Sequence, residues 1–161
     1  VDASKRYDIL NYLKKLNRQL NTTMFIITHD LEAALICDKS AILRAGRLLE
    51  FDTPQNLINT LPSKGLIVRF TIDGLNEDKM KIIKRFKPVK RVVRVGNDVV
   101  EILMDNFEEN LPELTKHIFT NDIKVEAMSR DVANFRRYFQ IRIQEEEERE
   151  AKMKENQEEV L

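Results

Sequence analysis

Apolar positions recur at helical spacing from the start of the chain. Ile9, Leu13, Leu16 and Leu20 fall at steps of four, three and four, one stripe of a helix over 4–20. Asp2 or Ser4 is placed to cap it, and Asn21-Thr22 ends it. The pattern then changes. Met24-Phe25-Ile26-Ile27 is an unbroken apolar run, as in a strand covered on both faces, and Thr28-His29-Asp30 stands at its C-terminal end. Leu31 to Cys37 reads as a short helix. Lys39 to Arg44 and Leu48 to Phe51 read as two strands turning on Ala45-Gly46-Arg47. Thr53 followed by Pro54 starts another helix, with threonine as cap and proline at the first helical position. That helix runs into Leu61-Pro62-Ser63-Lys64-Gly65, which reads as a linker.

After Gly65 the period is two. Leu66, Val68, Phe70 and Ile72 alternate with Ile67, Arg69 and Thr71, so one face of this strand is strongly apolar. Asn76 caps a helix with Met80, Ile83 and Phe86 on one side. Val89 to Val95 and Val99 to Met104 are strands around Gly96-Asn97-Asp98, a good hairpin turn. Leu111, Leu114 and Ile118 mark a second helix, and Ile123 to Met128 a last strand. The order strand, helix, strand, strand, helix, strand is that of a ferredoxin-like split unit. From Asp131 a long helix is expected, with Val132, Phe135, Phe139 and Ile143 as its apolar seam. Beyond Gln144 the seam stops and charge takes over. No internal repeat is visible.

Composition narrows the class. Of 161 residues, 42% are apolar and 34% charged, which fits a folded globular protein rather than a disordered one. The 27 basic and 27 acidic residues balance, but unevenly: 145–161 holds eight acidic and three basic residues. The remainder then has 24 basic and 19 acidic residues, an excess too small to argue for nucleic acid. No apolar run reaches the ~18 residues that cross a bilayer. Cys37 is the single cysteine, so no internal disulfide forms and a reducing compartment is the default. The chain opens on Val1 and passes at once into a helix, which leads us to expect a fragment or a processed product.

The segment from Asn21 to Leu57 carries the chemistry. It has an apolar strand ending in Thr28-His29-Asp30, then Glu32-Ala33-Ala34, then Cys37-Asp38. A hairpin turning on Gly46 follows, and then Thr53-Pro54 and a helix with Leu57. This resembles the end of an ATP-binding cassette (ABC) ATPase domain, whose switch loop ends a strand with Thr-His or Ser-His. Asp52 stands where that family usually has the glycine of a Gly-Thr-Pro motif. Upstream, Val1-Asp2-Ala3-Ser4-Lys5-Arg6 resembles the family's D-loop and the helix start after it. The resemblance covers about residues 1 to 60. Thr-His-Asp alone is common; five features in the right order and spacing are not. The phosphate-binding Walker A loop, the glutamine loop, the signature sequence and the Walker B strand have no counterpart, and no Gly-x-x-x-x-Gly-Lys occurs.

The resemblance implies a fold and roles. The fold is α/β and then α+β: the incomplete C-terminal part of a P-loop ATPase core over 1–63, a ferredoxin-like βαββαβ domain over 64–130, and a charged C-terminal helix or tail over 131–161. Small appended domains of this kind make an exporter the expectation. His29 is implied to sense the terminal phosphate of ATP, and Asp2 to lie at the seam between two ATPase subunits. The implied cofactors are ATP and Mg2+. The implied partners are transmembrane permease subunits and a second ATPase subunit, at the cytoplasmic face of a membrane, with no nucleic acid. A histidine suits the place, because the C-terminal edge of a parallel sheet is where such folds bind ligands. An imidazole there can donate to a phosphate oxygen and offset charge as the phosphoryl group leaves.

Plainer readings stand beside these. Taken without its neighbours His29 is a polar strand-end residue, and Asp2 a helix cap. Cys37 reads as a small buried apolar residue. His117 has no acidic or cysteine partner at ligand spacing and reads as a solvated helix residue. Glu145 to Glu148 reads as a solvated helix face or fraying tail, not a metal site. RNA binding by the second segment is disfavoured, because Val89–Val95 and Val99–Met104 carry no aromatic on which a base could stack. Two other functions remain open. Residues 64–130 could be a regulatory module for a metabolite or partner, which a polar pocket between sheet and helices would favour. The parent could instead be a soluble cassette ATPase acting on DNA or ribosomes.

Overall fold

The computed structural model describes residues 3–158. Val1 and Asp2 therefore lie outside the described residues. The chain divides into two compact units. One comprises the chain through Leu57 together with everything from Phe135 on; the other is Ile58–Asn134. The first and last of the three segments expected from sequence thus fall in one unit, and the chain leaves that unit and returns to it. Both sheets are antiparallel, one of two strands and one of four.

The discontinuous unit begins with helix α1 (Ala3–Leu20). Its apolar stripe is only half used: Leu13 and Leu16 are partly buried, whereas Ile9 and Leu20 are exposed. The run Met24–Ile27 predicts a buried strand, and here the structure differs. No strand forms between residues 22 and 30, and Phe25 and Ile27 are 94% and 98% exposed. The reason is physical: a strand persists by pairing with a neighbour, and none of the described strands pairs with this one. The parallel sheet that the resemblance implies is accordingly not formed among the described residues.

A 3-10 turn over Leu31–Ile36 follows, then the hairpin of β1 (Ser40–Arg44) and β2 (Arg47–Asp52). Ala45 and Gly46 both take positive φ, 47° and 74°, the two left-handed residues a tight hairpin turn needs. Helix α2 (Pro54–Asn59) starts as expected, with the Asn56 N–H donating to Thr53 Oγ1 at 3.1 Å. Asp52, the departure from the family glycine, adds a second cap: its Oδ1 accepts from Thr53 N–H and, at 3.0 Å, from the Asn56 side chain.

The second unit opens with a left-handed turn. Ser63, Lys64 and Gly65 have φ of 49°, 56° and 81°. A side chain at Gly65 would meet Ile58 Cγ2 at 3.2 Å and the Ala133 side chain at 3.3 Å, so both conformation and space call for glycine. Strand β3 (Leu66–Ile72), helix α3 (Glu77–Lys84), strands β4 (Val89–Arg94) and β5 (Val99–Met104), helix α4 (Phe107–Thr120) and strand β6 (Val125–Val132) follow. The sheet order is β4-β5-β3-β6. The alternation in β3 does what it predicts: Val68, Phe70 and Ile72 join Val100, Ile102 and Met104 of β5 in one apolar core with Ile83 of α3 and Leu111, Leu114 and Ile118 of α4.

Two boundaries move. Strand β6 extends to Val132, because it pairs along the whole of β3 from Leu66↔Val132 to Ile72↔Val125. Asp131 therefore sits in a strand, not at the head of a helix. Its carboxylate accepts from Arg69 Nη1 at 2.7 Å, and the same guanidinium reaches Glu101 Oε1 at 2.8 Å, an ionic bridge across three strands. Helix α5 runs over Phe135–Glu158, in the discontinuous unit. Its buried side chains are Phe135, Tyr138, Ile141 and Glu146. The predicted seam of Val132, Phe135, Phe139 and Ile143 is thus displaced: Val132 is exposed in β6, and Phe139 and Ile143 are only partly buried.

Candidate functional site

The Thr28-His29-Asp30 stretch is shaped by bonds to its immediate neighbours. The Asp30 N–H donates to Thr28 Oγ1 at 2.9 Å, and Asp30 Oδ1 accepts from the Glu32 N–H at 3.0 Å, capping the 3-10 turn. Arg6 of α1 comes within 3.8 Å of the other Asp30 oxygen. Asp30 thus joins the two pieces of sequence that the family resemblance links, α1 and the loop after the apolar run. Sequence reasoning treated it as part of a motif and missed this role; an Asp two residues before Glu32 at a helix start was the available signal.

His29 itself is exposed and makes no hydrogen bond or ion pair among the described residues. Both ring nitrogens are open to a ligand. Asp2, the second residue implied for the site, lies outside the described residues, so its distance from His29 is not defined. An ATP triphosphate needs a cradle of backbone N–H groups and a lysine. The four glycines of the chain stand at 46, 65, 74 and 96, none in such a loop. Among the described residues no group of three or more His, Cys, Asp or Glu side chains is placed to hold a metal ion. Among the described residues, then, neither a triphosphate cradle nor a metal cluster stands beside His29.

Two other candidates acquire structural explanations. His117, on α4, is part-buried against the end of α3. Its Nε2 lies 2.9 Å from the Ile82 carbonyl oxygen, and its ring stacks at 5.5 Å, tilted, on Phe86. It is a packing residue rather than a solvated one. Cys37 is half-buried and free, and burial pushes its thiol pKa up, with Asp38 adding to the effect. A raised pKa keeps the thiol protonated and unreactive.

Similarity to known proteins bears on the family resemblance. Over 75 residues, 46% of the chain, the sequence is 35% identical to the methionine import ATP-binding protein MetN of Streptomyces avermitilis, taking in 22% of that protein. Stretches of this chain are homologous to ABC transporter ATP-binding proteins. Over 71 residues, 44% of the chain, it is 37% identical to the sulfate/thiosulfate import ATP-binding protein CysA of Xanthomonas campestris pv. campestris, 20% of that protein. Over 51 residues, 31% of the chain, it is 43% identical to MetN 1 of Bacillus licheniformis, 15% of that protein. The chain therefore spans only a small part of the length of these curated relatives. No family model matches it. All three relatives are import proteins by name, so the expectation of export finds no support among them. No helix among the described residues is long and apolar enough to cross a membrane.

Proposed function

We propose that this chain is a piece of the ATP-binding subunit of an ABC transporter, whose parent couples ATP hydrolysis to movement of a substrate across a membrane. The observation that carries the reading is the exposed apolar run Met24–Ile27 leading straight into an exposed His29 with no partner among the described residues. A strand end in need of a sheet, with a free imidazole at its C-terminal edge, is what a cassette ATPase would present if the rest of its core came from elsewhere. The names of the relatives favour import over export. In the parent, Mg-ATP would supply the phosphoryl group to be transferred. His29 would donate to its terminal phosphate, and Asp2 would lie at the seam with a second ATPase subunit. Permease subunits would anchor the dimer at the cytoplasmic face of the membrane.

We assign residues 1–63 to the ATPase core and the segment from 64, extended from 130 to 134 because strand β6 runs to Val132, to a separate ferredoxin-like domain, with α5 as the returning helix. The sheet order β4-β5-β3-β6, with both helices contributing to one core, supports the ferredoxin-like assignment. That core is apolar throughout, and Val68, Ile72, Ile83, Val100, Ile102, Leu114 and Ile118 are fully buried. A filled interface of this kind favours a structural role for the second unit over a ligand-binding one. The deciding experiment uses the complete protein. His29→Ala should lower kcat by about 10²–10³ while KM for ATP changes less than about threefold, since the contact matters most as charge develops on the transferring phosphate. Unchanged turnover would reduce His29 to a strand-end residue.

A further inference from the structure

The acidic stretch of α5 reads from sequence as a solvated face, yet it is bound. Arg44 of β1 grips Glu150 with two bonds, Nε to Oε1 at 3.2 Å and Nη2 to Oε2 at 3.0 Å, and reaches Glu147 Oε1 at 3.3 Å. Arg47 of β2 reaches Glu146 Oε1 at 3.0 Å and Glu150 Oε1 at 3.4 Å. Charge also crosses in the opposite sense. Arg142 of α5 donates to Glu50 of β2 at 2.7 Å, and it braces Glu145 on its own helix at 3.2 Å. Arg149 lies 3.5 Å from the second oxygen of Glu146, whose side chain is 3% exposed. The contacts between helix and hairpin join residues 92 to 106 positions apart, and all lie within the discontinuous unit.

We propose that α5 is an electrostatic strap on the β1–β2 hairpin, closed at low ionic strength and released at high ionic strength. The two halves of the helix hold by different forces. Phe135, Tyr138 and Ile141 are buried apolar side chains, whose burial salt does not weaken. From Arg142 to Glu150 the named contacts to the hairpin are between opposite charges. Arg142, Glu50 and Glu146 are more covered, at 17%, 27% and 3% exposure, but Arg47 and Glu147 face solvent, at 60% and 56%. Pairs of that kind are screened when the Debye length falls from ~8 Å at physiological salt to ~3 Å at 1 M. The helix should therefore open from its C-terminal half while the first half stays in place. Residues 151–156 are exposed, so none of these anchors the helix by burial. The inference does not depend on the transporter reading, because it rests only on charges and contacts in this chain.

Hydrogen exchange on the full chain tests it. Between 0.05 and 1 M NaCl, amides of residues 146–156 should exchange on the order of tenfold faster, while those of 138–141 change by less than about twofold. The double charge reversal Arg44→Glu with Arg47→Glu should give the fast exchange already at low salt and abolish its salt dependence. Adding Glu147→Arg and Glu150→Arg to that variant should restore protection. Salt-independent protection of 146–156 in the unaltered chain would overturn the proposal even if the charge-reversed variants fail to fold. So would a charge-reversed variant that folds and keeps the original protection.

Discussion

Replacing Phe25 and Ile27 together by alanine separates two accounts of the apolar run. The side chains point away from all described structure, with exposures of 94% and 98%. Nothing is lost from a core when they are truncated, so the unfolding free energy of this chain should change by no more than about 0.5 kcal/mol, as for other surface substitutions. In a longer protein whose sheet covers the strand, the same truncations are core deletions. Phe→Ala in a core costs roughly 3–5 kcal/mol and Ile→Ala roughly 2–5, so the pair should cost at least about 5 kcal/mol there. The assay is urea unfolding followed by circular dichroism, run on this chain and on the complete protein with and without the two substitutions. The solubility of this chain gives a second readout. Two exposed side chains of this size, two residues apart, favour self-association, so the alanine variant should stay monomeric at higher concentration. A loss above 1 kcal/mol in this chain would mean that the run is already buried in solution. A negligible loss in the complete protein would mean that it is not a sheet strand, and the cassette reading would go with it.

Three further outcomes follow from local geometry. Ser63 bridges a strand end and a helix start, its hydroxyl donating to the Met104 carbonyl at 2.7 Å and accepting from the Phe107 N–H at 3.0 Å. Ser63→Ala should cost about 2 kcal/mol in a denaturant melt of the second unit, because helix α4 has no side-chain cap of its own at Asn106. Asp131 and Glu150 both titrate below the usual carboxylate range, the first chiefly because the Val132 N–H donates to it and then because of Arg69, the second chiefly because of Arg44. Depressed folded-state values stabilise above the ordinary pKa near 4 and lose that contribution as pH falls through the lowered values. Urea midpoints should therefore be flat from about pH 7 to 5 and decline below about pH 4. Hydrogen exchange at neutral pH should leave residues 66–104 and 107–120 the most protected and 21–30 the least, in keeping with one filled core and one segment without a strand partner.

The second unit was legible because its signals are local and agree with one another. A period of two in β3, an asparagine cap whose side chain does accept from Lys79 N–H, and paired apolar stripes on α3 and α4 all point to one core. The failures have a different origin. The Met24–Ile27 run has the composition of a buried strand, but pairing is a long-range property that composition does not supply. The start of α5 was misplaced because Val132 fits a helical seam as well as it fits a strand, and only the ladder with Leu66 decides between them. The strap was hidden for a similar reason. Glu145–Glu148 is a charge run, and charge runs are usually solvated. Its partners, Arg44 and Arg47, are spaced three apart on a hairpin whose position relative to the helix no sequence pattern gives.

The candidate site divides along the same line. Around His29 the described residues make two bonds between near neighbours, Asp30 N–H to Thr28 Oγ1 and Glu32 N–H to Asp30 Oδ1, and one tie from Arg6 of α1 to Asp30. These fix the backbone on the far side of the histidine and leave its near side, residues 22–28, with neither strand pairing nor burial. Catalytic stabilisation of a developing charge requires the donor to be held in place before the charge appears. A histidine anchored on one side only does not meet that condition, whatever its chemistry. Under the proposed function, a sheet pairing with Met24–Ile27 would do more than cover apolar surface: it would fix the second side of His29. On this reading the strand's hydrophobicity and the histidine's function are linked, since the same contacts that bury Phe25 and Ile27 would set the direction in which His29 donates.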